Sequence, residues 1–172
     1  MERFRHILVP TDFGDVAGAA LDLALELAAK FGSKVTVMHA TWYPPATYAE
    51  YLQDIAWPTE ELAGRIMNEL STVVAKAKQR HPDVDSLIMT GETWERVLEA
   101  AKSVGADLIV MGTHGRTGLS RALLGSVAEK VVRLSPVPVL TVSAEPERRT
   151  SEHTVAGISA GRDRDANAPR RG

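Results

Sequence analysis

A chain of 172 residues that is 44% hydrophobic and 24% charged is long enough for one domain with a sizeable core. Its net charge of −2 gives no electrostatic case for a nucleic-acid partner, and the absence of cysteine excludes disulfides, thiol catalysis and cysteine-ligated metals. No apolar run approaches the ~18 residues of a membrane span and the opening MERFRHILVPTDF carries no signal-peptide pattern, so the expected setting is the cytoplasm, without membrane contact.

His6-Ile7-Leu8-Val9 is the first strand-like run, and Pro10-Thr11-Asp12 follows as a turn and cap signature. A proline cannot donate to a sheet ladder, so this strand is expected to end near Val9. Asp15 is a candidate helix cap. Apolar residues at Ala17, Leu21, Ala24, Leu25 and Ala28 continue to Phe31, where Gly32 is the expected stop. Lys34 to Ala40 reads as the second strand, which makes a βαβ unit and implies a parallel sheet with a right-handed crossover. Thr41 to Pro58 is a long aromatic- and proline-rich segment with no clear periodicity, read as a flap or partner surface.

Thr59-Glu60-Glu61-Leu62 resembles a capped helix start, and helical spacing runs through Leu62, Ile66, Leu70, Val73, Val74 and Ala77 toward a stop before Pro82. Asp85 to Gly91 is the third strand. Glu92 to Val104 is the third helix, with Gly105 as its stop, and Leu108 to Met111 is a fourth, fully apolar strand. A glycine-rich loop then leads into a helix from Ser126 to Leu134. Pro136 to Val142 supplies a fifth strand, whose prolines suit a sheet edge. Five strands alternating with four helices imply an α/β fold, a doubly wound open parallel sheet with helices on both faces. Residues 1–143 are read as the domain. Residues 144–172 lack apolar periodicity and are read as a flexible C-terminal tail; from Ser143 on, six basic and five acidic residues nearly cancel.

The stretch LIVMGTHGRTGLSRALLGSVAEKVV, Leu108 to Val132, passes from buried strand to glycine-rich loop to helix N-terminus. Free backbone N–H groups and the positive end of the helix dipole make such a junction an anion site. It is not a Walker A loop, since no G-x-x-x-x-G-K-[ST] occurs, nor a G-x-G-x-x-G dinucleotide fingerprint. Ligands of open α/β sheets bind beyond the carboxyl ends of the strands. There, Asp12 can hydrogen-bond an adenine amino group or a ribose hydroxyl, or it can simply cap the first helix. Backbone groups near Ala40 can read a base edge, and Gly112 lets a sugar approach. N–H groups near Gly115, Arg116, Ser126 and Val127 can hold phosphates, with the Ser126 hydroxyl adding a bond. His39 reads as a hydrogen-bonded histidine at a strand end. The five histidines show no metal-ligand spacing, so no protein-held metal site is expected.

The spacing Gly112-x-x-Gly115, nine residues, Gly125-Ser126, together with PTDF after the first strand and the closing PVPVLTV, resembles the universal stress protein family in its ATP-binding branch. The likeness runs from about Arg3 to Val142. It implies a five-stranded sheet ordered 3-2-1-4-5 and a homodimer formed through the last strand, Val137 to Val142. It also implies ATP or a related adenine nucleotide as ligand, with Mg²⁺ or Mn²⁺ held mainly by the phosphates. By matching position, the resemblance puts Pro10, Thr11, Asp12 and Ala40 near the base and ribose. It puts Met111, Gly112, His114, Gly115, Arg116, Gly125, Ser126 and Val127 around the ribose and phosphates.

Three functions fit these residues: a nucleotide-dependent regulatory or stress-resistance protein, a slow ATP hydrolase or phosphotransferase, and a nucleotide-independent dimeric interaction module. The intact motif argues against the third. A phosphate cradle without a P-loop lysine, an evident water-orienting base or an arginine finger binds a ground state more readily than it accelerates transfer. No catalytic residue is assigned.

Overall fold

Alternating apolar residues on the strands determine the two faces of the sheet. In the computed structural model, which describes residues 4–41, 59–113 and 124–143, five strands and four helices alternate. They are β1 (His6–Pro10), α1 (Asp15–Phe31), β2 (Lys34–Thr41), α2 (Thr59–Arg80), β3 (Val84–Thr90), α3 (Thr93–Val104), β4 (Leu108–Gly112), α4 (Ser126–Leu134) and β5 (Val139–Val142). All strand pairs are parallel and the order is β3-β2-β1-β4-β5. This is the doubly wound sheet expected from the alternation of elements.

Strand side chains point to opposite faces in turn. Ile7, Val9, Val35, Val37, Leu108 and Val110 pack on one face, beneath Ala20, Ala24 and Ala28 of α1 and Leu70, Val74 and Ala77 of α2. Leu8, Met38, Ile109 and Met111 pack on the other, beneath Val97, Ala100 and Ala101 of α3 and Ala128 and Val131 of α4. Alanine dominates the buried stripe of α1, which lets its backbone lie close against the central strands. No helix among the described residues is long and apolar enough to cross a membrane.

The expected glycine stops of α1 and α3 are present. Gly32 and Gly105 take left-handed conformations, with φ of 68° and 66°. The Gly32 and Ser33 N–H groups both return to the Ala28 carbonyl, closing the end of the helix in a way that favours glycine. At the start of α1, Gly14 occupies the cap position and Asp15 is the first helical residue, one position later than expected for a capping aspartate. As an acid in the first turn, Asp15 still complements the helix dipole.

β1 extends one residue past the expected end. Pro10 pairs in register with Met38, and the Thr11 N–H donates to the Met38 carbonyl at 2.8 Å. Successive N–H groups face opposite neighbours, so the donor that Pro10 lacks would have faced β4. On that side the register runs only through Ile7–Leu108 and Leu8–Ile109. The proline therefore costs no ladder bond to β2, and it stands where β1 and β4 part. β3 begins at Val84 and ends at Thr90, one residue earlier than expected at each end. Val84 pairs with Val35, and Gly91, with φ of 139°, turns the chain toward α3.

Candidate functional site

The parting of β1 and β4 lies at the point where strand order reverses: β1 continues to β2 on one side, whereas β4 continues to β5 on the other. Open α/β sheets form their ligand crevice there. The described residues line a cavity of about 410 Å³ at this place, within the range of small-molecule sites.

Each wall comes from a strand end or a helix start. β1 and its turn contribute Pro10, Thr11 and Asp12, and β2 contributes Met38, His39 and Ala40. β4 contributes Met111 and Gly112, followed by Thr113. The start of α4 supplies Gly125, Ser126, Val127 and Ala128, and Ala17 of α1 and Thr93 of α3 complete the lining. Nine of the twelve residues that the sequence assigns to the nucleotide site thus meet at one cavity, together with His39. His114, Gly115 and Arg116 lie outside the described residues, as does the Thr41–Pro58 segment apart from Thr41, which is the buried last residue of β2.

The turn after β1 is tightly specified. Thr11 Oγ1 accepts the Phe13 N–H at 3.0 Å, and Asp12 Oδ1 accepts the Gly14 N–H at 3.0 Å. Between these bonds Phe13 has φ of 64°, the one positive φ of a non-glycine residue among those described. A non-glycine residue held there costs on the order of 1–3 kcal/mol and persists only where its surroundings over-determine it. Here the Phe13 ring stacks on His39, with centroids 4.6 Å apart and planes inclined by 26°. His39 Nδ1 also lies 2.8 Å from the Thr11 carbonyl oxygen. His39 is thus hydrogen-bonded at its strand end, as expected, and it also forms part of the cavity wall.

The opposite wall is built from backbone. Gly125 occupies the cap position of α4 with no side-chain cap, so the first turn of that helix presents its N–H groups and the positive dipole end toward the cavity. Asp12 and His39 are the ionisable side chains among the described lining residues. Positive potential on this wall comes from the helix terminus. No group of three or more His, Cys, Asp or Glu that could hold a metal ion occurs among the described residues. The arrangement offers apolar surface from Met38, Ala40, Met111 and Val127, hydroxyls from Thr11, Thr93, Thr113 and Ser126, one carboxylate, and a helix N-terminus whose N–H groups suit an anion.

Thr93 was not singled out in the sequence. It opens α3 directly after the β3 turn, and β3 delivers its carboxyl end to the same side of the sheet as β1, β2 and β4. Extending the strand-end rule to β3 would have found it.

This cavity sits in a fold with known relatives. The universal stress protein family model matches residues 3–143. The chain belongs to the universal stress protein family. A relative in Methanocaldococcus jannaschii, universal stress protein MJ0531, is 34% identical over 151 residues, covering 81% of this chain and 82% of its own. Among solved structures, protein MJ0577 superposes with a TM-score of 0.72 at 28% identity, covering 83% of this chain and 98% of that one. A universal stress protein solved in complex with cAMP superposes with a TM-score of 0.60 at 27% identity, covering 81% of this chain and 97% of its own. The sheet order implied by family resemblance is therefore observed in a chain whose membership is established over the whole described region.

Proposed function

We propose that this universal stress protein binds an adenine nucleotide, with ATP as the natural ligand, and acts as a nucleotide-dependent regulatory or stress-resistance protein. The observation that carries the proposal is the convergence of the β1, β2 and β4 carboxyl ends and the α4 N-terminus on one cavity of about 410 Å³. A relative of the same fold binds cAMP, which supports the adenine class.

In this reading, Pro10, Thr11, Asp12 and Ala40 surround the base and ribose. The Asp12 carboxylate is an acceptor for a ribose hydroxyl or an adenine amino group. Met111 and Gly112 flank the sugar. The N–H groups of Ser126 and Val127 and the Ser126 hydroxyl take the phosphates. His114, Gly115 and Arg116 join them on the grounds of the motif alone. A divalent ion, Mg²⁺ or Mn²⁺, would be held mainly by phosphate oxygens and water. That is the habit of Mg²⁺, and it suits a cavity wall whose described carboxylate is Asp12 alone. The ion would neutralise phosphate charge. The unit that carries this function is residues 1–143, with residues 144–172 outside it, and two copies associate through β5.

Calorimetry of the purified protein with ATP and Mg²⁺ or Mn²⁺, up to millimolar nucleotide, tests the proposal. Saturable binding, together with identification of any nucleotide that co-purifies, is the expected result. An absence of heat at millimolar ATP, with no co-purifying nucleotide, rejects it.

A further inference from the structure

We propose that His39 is a positioning residue for the nucleotide site. By donating Nδ1–H to the Thr11 carbonyl and stacking on Phe13, it holds the left-handed turn that presents Thr11 and Asp12 to the ligand. The inference rests on the nucleotide-binding reading of the cavity.

The geometry fixes the chemistry. The partner of Nδ1, at 2.8 Å, is a carbonyl oxygen, which can only accept. The proton therefore lies on Nδ1, and neutral His39 is held in the Nδ1–H tautomer, with Nε2 an acceptor. Thr11 is gripped twice, because its N–H already donates to the Met38 carbonyl at 2.8 Å. Its peptide groups on both sides are thus tied to β2, one to the strand's backbone and the other to a side chain of the next residue along it. Two residues further on, the Phe13 ring rests on the same imidazole at 4.6 Å. Within the turn itself, Thr11 Oγ1 and Asp12 Oδ1 supply short local bonds. Both can form in several turn geometries, because the acceptor and donor are near neighbours in sequence. His39 is a side chain of β2 that reaches both the Thr11 carbonyl and the Phe13 ring, and it adds to the Thr11–Met38 main-chain bond in tying the turn to the sheet. Thr11, Asp12 and His39 all line the cavity, so a change in His39 alters where the Asp12 carboxylate stands, and a small displacement of a positioning group weakens ligand binding.

Three variants separate this role from simple packing. In His39→Phe the ring remains to stack on Phe13 but the donor is gone. In His39→Asn the amide nitrogen can occupy the Nδ1 position and donate to Thr11. In His39→Gln the amide lies further out and reaches the Nε2 position instead. Binding of ATP is measured by calorimetry. In the ligand-free protein, amide resonances of residues 11–14 and the imidazole ¹⁵N pattern are recorded. The expected results are an Nδ1–H tautomer in the wild type and about tenfold weaker ATP binding in His39→Phe and His39→Gln, the size of one lost hydrogen bond. His39→Asn, which keeps the donor and loses the ring, should bind within about threefold of wild type, and the Gly14 amide, which reports the turn through its bond to Asp12, should shift more in His39→Phe than in His39→Asn. An Nε2–H tautomer, equal affinity in all four proteins, or equal loss in His39→Asn and His39→Gln overturns the assignment. If the wild type itself binds no ATP, the nucleotide reading falls, whereas the tautomer and amide shifts still decide whether His39 holds the turn.

Discussion

The backbone N–H of Gly125 donates to the carbonyl of Thr113 at 2.7 Å. This single bond joins the residue that leaves β4 to the residue that caps α4, across the whole intervening stretch of the glycine motif. Thr113 is itself fastened to β5, its N–H donating to the Val142 carbonyl at 2.8 Å. The end of β4, the start of α4 and the edge strand are thus locked together by main-chain bonds. The N-terminus of α4 is thus set at the cavity by the scaffold, and a ligand that binds as proposed need not order it.

Gly125→Val tests that wall. Gly125 has φ of −60° and ψ of 151°, a conformation open to any residue, so valine adds volume without backbone strain and the N–H to Thr113 is retained. The variant is expected to melt close to wild type while its ATP affinity falls by about 100-fold or more, because a side chain now intrudes where phosphate must approach the backbone. Thermal melting and calorimetry check this. Wild-type affinity in the variant rejects the cradle.

Asp12→Asn addresses the other side of the cavity. Asparagine keeps an Oδ1 acceptor for the Gly14 N–H and so preserves the turn, but it loses the charge that makes hydrogen bonds from ligand hydroxyls roughly twice as strong. Near-native melting with ATP affinity lowered by about tenfold is expected, and Asp12→Ala should lose turn stability as well. Following ADP release over hours in the same proteins separates the two nucleotide functions. Turnover that disappears with Asp12 would make the chain a slow ATP hydrolase, whereas the regulatory reading expects no turnover above background.

Much of this fold is written locally, and the rest depends on distant partners. Gly32 and Gly105 announce helix ends because few other residues accept φ values of 68° and 66°. The fully apolar Leu108–Met111 run announces a strand covered on both faces, and Gly125-Ser126 announces the start of α4. Nothing about a phenylalanine announces the left-handed conformation of Phe13, because that state is held by a ring on another strand. Pro10 misleads for a related reason. Whether a proline ends a strand depends on which neighbour its missing donor would have faced, and that is a fact of sheet order. Thr93 reaches the cavity only because β3 ends on the same side as the central strands.

β5 yields a prediction about assembly. The carbonyls of Pro138 and Val142 accept from Ile109 and Thr113 of the neighbouring chain segment at 3.0 and 2.8 Å. Backbone groups alternate in direction along a strand, so those of Val139 and Thr141 face away from β4. β5 is the last strand in the sheet and Leu140 is 37% exposed, an apolar edge that invites pairing with a second copy. Light scattering at roughly tens of micromolar protein is expected to give a dimer, and Leu140→Lys a monomer, since a charge on an edge strand opposes pairing. A monomeric wild type counts against this interface.

At the amino end of the central strand β1, His6 yields a pH prediction. Its Nε2 shares a 2.8 Å hydrogen bond with Oγ1 of Thr36, which is buried. Burial, and after it the nearby Lys34 ammonium, lowers the imidazole pKa from its ordinary 6.5. The folded chain therefore takes up this proton less readily than the unfolded chain, and stability rises with pH wherever the unfolded state binds more protons. The contribution is complete above 6.5 and is lost as pH falls from there through the lowered folded value. Melting temperature is expected to decline between pH about 7.5 and about 5.5, and to decline less in His6→Gln, whose amide can still reach Thr36 but carries no titrating group. Asp85 contributes in a lower window. Its hydrogen bond from Lys34, at 2.6 Å, lowers the carboxyl pKa below 3.8, so that contribution persists until pH falls toward and below 3.8, and on an exposed pair it is small. The comparison of wild type and His6→Gln between the two higher pH values thus isolates the histidine, and parallel melting curves for the two proteins would show that His6 does not set the decline.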